Sequence, residues 1–458
     1  MSTTKVSEAK PRPLLKSILH SLGTNVLLVP LGFVFSFLVA RTLGPQGKGA
    51  VDIFVATAAL LTMIVGFSLP SGITYFTAQA VVSLRSMLRW LLIVVVAQSL
   101  LALALLGIAF ALGVESTFLP QASGGLIVLA VAVYVLLNLA LGYWRAILIG
   151  RQEIISANNV ALISRIIDLV LLLGVLAASR VSGLQIDFRF LLGVLLVSAL
   201  AANFLFLSRL KPIISLSAAA DGAFRKVVRY SAPSYLANLL QFLNYRVDLF
   251  LVSYFIGQTA VGLYGLAVSL AQFTWLPASA ASTVLLPRLA AHQDLVGENT
   301  QLVARATRLS FLVSILAGLS IALLGLVGIP LLYGEAFRPS VPALLWLVPG
   351  VVAIGPTFVL TAYIAGIGKP HINLLISFIT LLVTLTFDLA LIPAGGIVGA
   401  SIASSISYLA CSLLSLWFFK RESGLPMWAP VILTREDVVL MLSLLRRISR
   451  RLLRRGEY

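Results

Sequence analysis

This sequence predicts an all-α polytopic membrane protein of about twelve transmembrane helices, in two six-helix lobes related by a parallel pseudo-twofold repeat. Three observations carry the prediction. The composition is 60% hydrophobic and 11% charged, whereas an average soluble protein is about 25% charged. The apolar residues come in runs of about 20, the length that crosses the hydrocarbon core of a bilayer. Short glycine motifs recur about 215 residues apart, as duplicated halves would leave them.

Taken in order, the apolar runs place spans at 20–40, 51–76, 88–112, 123–145, 155–178 and 189–209, and then at 230–256, 260–286, 309–332, 342–365, 371–392 and 396–419. The basic residues set the orientation. With the N-terminus in the cytoplasm, only Arg41, Lys48, Arg180, Arg189 and Arg338 fall in outer loops, and Arg165 and Arg246 fall inside spans. The rest of the 33 Lys and Arg are cytoplasmic, which is the positive-inside pattern for a plasma-membrane protein with both termini inside. The predicted organisation is a cytoplasmic tail at 1–19, an N-lobe at 20–209, a cytoplasmic linker at 210–229, a C-lobe at 230–419 and a C-terminal tail at 420–458. The net charge of +17 therefore marks membrane topology and does not point to nucleic acid.

Within the last tail, Thr434 precedes Arg435, Glu436 and Asp437, an N-cap followed by acids in a first helical turn. Beyond it, Met441, Leu444, Leu445, Ile448 and Leu452 form an apolar stripe opposite Arg446, Arg447, Arg450, Arg451, Arg454 and Arg455. That pattern predicts an interfacial helix lying on anionic lipid.

Familiar chemistry is missing. The single Cys411 allows no disulfide framework, and His20, His292 and His371 are too far apart to form a ligand pair. No HExxH, Walker-type glycine loop or GxSxG stands in the chain, and no outer loop is long enough for a catalytic domain. The expectation is a non-enzyme with no cofactor, which leaves proton or sodium coupling open.

The polar residues inside spans are the candidate site, because each unpaired polar group in hydrocarbon costs several kcal/mol. Residues 230–257 are long enough to span yet carry Asn238, Gln241, Asn244, Tyr245, Arg246 and Asp248. At about 100° per residue, Asn238, Gln241, Tyr245 and Asp248 share one helical face, with Arg246 roughly opposite Asp248. The eleventh span carries Asn373, Ser377, Thr380, Thr384 and Asp388 within about 80° of one another, over about 22 Å. Arg165 and Asp168, at i and i+3, read either as a structural ion pair or as cavity lining. Arg145 shares a face with Tyr134 and Asn138 and reads either as an interfacial anchor or as the rim of a cavity. Pro30, Pro277 and Pro287 mark kinks that a moving transporter could use as pivots.

The repeat lies in two places. LGPQGKGAVDIF, with Gly44 and Gly49, answers IGQTAVGLYGLA, with Gly257 and Gly262 at the same spacing. Ile149-Gly150-Arg151 answers Ile367-Gly368-Lys369. Together with ARTLGPQGKGAVDIF (Ala40 to Phe54) and GLYGLAVSLAQFTWLPASAASTVLLPRLA (Gly262 to Ala290), these turns resemble the oligosaccharide and polysaccharide flippases, O-antigen flippases among them, of the multidrug/oligosaccharidyl-lipid/polysaccharide exporter superfamily.

The resemblance implies a V-shaped exporter fold working by alternating access. It also implies flipping of a polyprenyl-diphosphate-linked oligosaccharide from the inner to the outer leaflet, alongside the proteins that assemble surface polysaccharide. Family members often line the path with basic residues, here Arg165 and Arg246 with Arg145 nearer the rim. Guanidinium groups suit a diphosphate through charge-assisted, bidentate hydrogen bonds, and the polar stripes could exchange hydrogen bonds with sugar hydroxyls. The same fold serves drug or small-cation exporters and peptidoglycan-precursor flippases. The first span has Asn25 but none of the acidic residues that drug exporters often carry there.

Overall fold

The computed structural model describes residues 14–79, 84–120, 125–214, 223–291, 296–437 and 439. Its elements in order are α1 (Leu14–Gly66), α2 (Leu69–Ala78), α3 (Leu84–Ala111), the single turn α4 (Glu115–Phe118), α5 (Gly125–Gly150), α6 (Ile154–Ser182), α7 (Phe188–Ile214) and α8 (Ala223–Phe255). There follow α9 (Gln258–Ala271), a 3-10 turn (Gln272–Trp275), α10 (Leu276–Ala291), α11 (Val296–Gly328) with a π turn at its end, α12 (Ser340–Gly366) and α13 (Pro370–Ser423). No strand occurs among the described residues. This is what lipid requires, since helices satisfy their backbone groups internally.

Nine of the described helices are long and apolar enough to cross a membrane. Glycines break two of them, α1 at Gly44 and α13 at Gly396, into two spans each. The 33-residue α8 is too polar for that tally yet long enough to span. With these divisions the predicted set of about twelve spans is complete. The C-terminal amphipathic stripe and residues 215–222 of the 210–229 linker lie outside the described residues, as does the side chain of Asn25.

The breaks explain the repeat. Gly44 has φ 65° and ψ −173°, and Gly257 has φ 112° and ψ −179°, a region open essentially to glycine alone. Each separates two spans without a loop, and Pro45 opens the second segment of α1 where its missing N–H costs nothing. Lys48 accordingly sits within a helix, 2% exposed and ion-paired to Asp52, rather than in an outer loop.

The second pair of turns has the same hydrogen bonds in both halves. Gln152 N donates to Ile149 O and Glu153 N to Leu148 O, while Gly368 N donates to Ala365 O and Lys369 N to Ile364 O. The left-handed position is therefore Gln152 (φ 60°) in one half and Gly368 (φ 78°) in the other. Gly150, which the sequence aligns with Gly368, precedes the turn by two residues.

The chain divides into two compact units, Met1–Leu239 and Leu240–Tyr458, and the division falls within α8. The first has a core of Phe54, Leu91, Val135, Ile147 and Leu191 from α1, α3, α5 and α7. Interhelical hydrogen bonds reinforce it: Tyr143 Oη donates to Gln98 Oε1 (2.6 Å), Gln98 Nε2 to Val65 O (2.7 Å) and Trp144 Nε1 to Asn203 Oδ1 (3.0 Å). Lipid tails are as apolar as leucine, so such bonds and close packing hold membrane helices together. In the second unit, Leu289, Val303, Val359, Tyr363, Ile376 and Phe419 from α10, α11, α12 and α13 form the core.

Candidate functional site

A buried polar cluster of the second unit centres on Asp248 of α8. This carboxylate is 4% exposed. Its Oδ2 accepts from Tyr264 Oη (2.5 Å) and Ser404 Oγ (3.2 Å), and its Oδ1 from Leu249 N (2.7 Å). Tyr264 and Ser404 also touch each other at 3.0 Å. Helices α8, α9 and α13 thus converge on one buried carboxylate.

Asp388 of α13 is the counterpart. It is fully buried, and neither carboxylate oxygen has a hydrogen-bond partner among the described residues. It lies within electrostatic reach of Asp248. A buried carboxylate left without donors is costly, so a proton or a bound cation is needed to neutralise it. The described residues contain no cluster of three or more His, Cys, Asp or Glu that could hold a metal ion by themselves.

The α13 stripe is inward-facing for part of its length. Thr380, Thr384 and Asp388 are buried. Thr384 Oγ1 donates to Thr380 O, Asn373 Nδ2 to Thr361 O of α12, and Asn244 Nδ2 to the Ser377 carbonyl (2.9 Å each). Asn244 Oδ1, Asn373 Oδ1 and Thr380 Oγ1 have no partner among the described residues. Asn244 therefore joins Asp248 opposite α13, although the sequence-derived face of α8 omits it.

The remaining α8 candidates disperse. Asn238 belongs to the first unit, where its Nδ2 donates to Ser68 Oγ (3.1 Å). Gln241 is exposed. Tyr245 packs its ring 5.1 Å from Trp275 and 6.3 Å from Tyr408. Arg246 is partly exposed, with no ion pair among the described residues, and feels the charge of Asp248.

In the first unit, Arg165 Nη1 donates to Asp168 Oδ2 (3.0 Å), and Ser198 Oγ donates to the other oxygen of Asp168. Asp168 is buried, while the Arg165 side chain is 48% exposed and keeps donors free for a further acceptor. Arg145 is exposed at the end of α5.

Sequence reasoning missed Tyr264 and Ser404. Tyr264 stands in the quoted GLYGLA segment, but only the fold brings it to Asp248. Ser404 is one of several serines of α13, and nothing in the pattern distinguishes it from the serines that bond their own helix.

Solved structures of similar architecture include a flippase and a transporter. A lipid II flippase MurJ in an inward closed conformation aligns with TM-score 0.68 at 14% identity, over 89% of this chain and 90% of that one. An inward-facing multidrug resistance MATE family transporter of the MOP superfamily aligns with TM-score 0.64 at 16% identity, over 87% and 94%. An uncharacterized membrane protein, MJ1375 of Methanocaldococcus jannaschii, is 23% identical over 89% of this chain and 98% of its own length. Fold and polar core together define a multi-pass membrane protein that shares its fold with these transporters. The Polysaccharide biosynthesis protein profile matches residues 14–293, and the MatE profile matches residues 233–389. The chain belongs to the polysaccharide biosynthesis protein family.

Proposed function

We propose that this protein flips a polyprenyl-diphosphate-linked oligosaccharide from the inner to the outer leaflet of the plasma membrane by alternating access, for surface polysaccharide assembly. The observation that carries the reading is Arg246, a guanidinium within a span of a polysaccharide-biosynthesis family member, partly exposed and without an ion pair among the described residues. An unpaired cation at that depth is costly, and an anionic headgroup offsets the cost. In the first unit, Arg165, whose donors are only partly used by Asp168, offers a phosphate contact of its own. Asn373 and the exposed Gln241 supply groups for sugar hydroxyls. The C-terminal basic stripe rests on anionic lipid of the cytoplasmic leaflet.

Energy enters at Asp388 and Asp248. A proton or sodium ion that neutralises Asp388 in one conformation and leaves in the other would couple transport to an ion gradient. The same pair favours a second reading, ion-coupled export of a small cation, because a cationic cargo would meet two carboxylates at this cluster.

The two are separated by locating the lipid-linked oligosaccharide after depletion of the protein. Inner-leaflet accumulation, relieved by the intact protein and not by Arg246→Ala, is the expected result. An unchanged leaflet distribution together with increased sensitivity to cationic drugs establishes the second reading instead.

A further inference from the structure

A groove in the first unit is lined by none of the candidate site residues described above. It has a volume of about 610 Å³, within the range of ligand pockets. Its walls are Leu171 and Val175 of α6 and Phe190, Val194 and Val197 of α7. Gly193 lies along it, exposed, with open space where a Cβ would stand. Its mouth carries one charge of each sign, Asp187 and Arg189, at the turn that joins the two helices.

Leu171 lies eleven residues before the end of α6, and Val197 lies nine after the start of α7. At 1.5 Å per residue the groove runs roughly 14–16 Å below its mouth, about half of a 30 Å hydrocarbon core. It is as deep as one leaflet. The charge distribution along the chain places its mouth at the outer surface.

The mouth is not closed on itself. Arg189 Nε stands 3.9 Å from Asp187 Oδ2, and the Arg189 backbone N donates to Asp187 Oδ1 (2.9 Å). The two side chains are 65% and 53% exposed, so most of their hydrogen-bonding capacity is unspent. We propose that this groove is a binding site for one zwitterionic phospholipid with a primary ammonium, of the phosphatidylethanolamine type. Its phosphate lies on Arg189, its ammonium on Asp187, and an acyl chain lies along α6 and α7. Moving an acyl chain from bilayer to groove changes its surroundings little, since lipid tails are as apolar as leucine. Selectivity therefore resides in the headgroup. A choline headgroup has no N–H to donate to Asp187, and a glycerol headgroup has no cation. A polyprenyl diphosphate is disfavoured because its second negative charge would face Asp187.

The test does not involve flipping, so it stands independently of the transported substrate. The full-length protein in detergent is offered equimolar dioleoyl phosphatidylethanolamine, phosphatidylcholine and phosphatidylglycerol, and retained lipid is counted by native mass spectrometry. The wild type should retain one phosphatidylethanolamine with about tenfold preference over the other two, the discrimination expected of one charge-assisted hydrogen bond at a partly exposed site. Asp187→Asn, a change at a half-exposed position, should abolish the preference while leaving the fold intact. Gly193→Trp fills the open space and should remove the retained lipid altogether. Equal retention of the three lipids by the wild type, preference for phosphatidylglycerol, a preference that survives Asp187→Asn, or undiminished retention by Gly193→Trp would each overturn the assignment.

Discussion

Asp437→Asn tests the best-defined ion-pair cluster of the chain. Asp437 is fully buried within the C-terminal tail. Its oxygens accept from Arg308 Nε (2.5 Å), Arg305 Nε (3.1 Å), Thr434 N (3.0 Å) and Thr434 Oγ1 (2.7 Å). Arg308 is itself buried, and its Nη1 donates to Ala429 O (2.7 Å), so this part of the tail is held by Arg305 and Arg308 of α11. The substitution keeps the shape and removes the charge. Leaving one partner of a buried pair uncompensated costs about 3–5 kcal/mol. The retained Ala429 bond and the partial exposure of Arg305 reduce that to about 2–3 kcal/mol, a fall of roughly 4–12 °C in the melting temperature of a unit this size. Burial by itself would raise the pKa of Asp437, but the hydrogen bonds and charge of Arg308, with those from Thr434, outweigh it and hold the carboxyl well below the usual carboxylate range. A depressed native value means that the stabilisation is fully present above the unfolded value of about 3.9 and is lost as pH falls through the native one. In detergent, the melting gap between wild type and variant should therefore be constant from about pH 5 to 8 and narrow below about pH 4. Arg308→Gln should cost a similar amount, and the double variant no more than either single one. Equal melting temperatures for wild type and Asp437→Asn, or strictly additive single effects, would refute the reasoning.

Three more outcomes are expected. Gln152→Gly should stabilise the first unit by about 1 kcal/mol, because Gln152 holds a left-handed conformation at the position where the second half has glycine; a lowered melting temperature would contradict this. Gly350→Val should destabilise the second unit by several kcal/mol or prevent folding, since even a Cβ there would stand 2.4 Å from the Ser405 Cα. Fluorescence-detected size exclusion would report it as loss of the monodisperse peak. Asp388→Asn should leave the melting temperature unchanged or raise it by removing an unpartnered buried carboxylate, while abolishing ion-dependent transport in vesicles. Transport that keeps its ion dependence would remove Asp388 from the coupling role.

The number of spans and their order were legible because lipid enforces length and apolarity, and the repeat marked Gly44 and Gly257, although only the structure shows that they hold the glycine-demanding breaks between spans. The second turn was legible only to within two residues, since Gln152 occupies a conformation that sequence habit assigns to glycine. At the candidate site, periodicity brought out Thr380, Thr384 and Asp388 because α13 is regular where they stand. It could not supply Tyr264 or Ser404, whose role depends on which helices pack together.

Helix α8 shows why a shared face is not a shared site. Its polar residues satisfy the angular arithmetic, yet partners change along its length. Before the division at Leu239, Ser231 accepts from Gly72 N (3.2 Å), Tyr235 donates to Ile64 O (3.1 Å) and Asn238 donates to Ser68, all within the first unit. Those contacts surround Phe67 and Ser68, two residues with φ of 47° and 49° that break the second span. Non-glycine residues hold such angles at a cost of roughly 1–3 kcal/mol each, and only where the surroundings over-determine them. Beyond the division, the partners of Asn244 and Asp248 among the described residues belong to the second unit. The polarity that makes α8 a poor span by composition is thus two separate structural demands written end to end. One holds a strained break in its place, and the other leaves a buried carboxylate beside Asp388, where a proton or a cation would act.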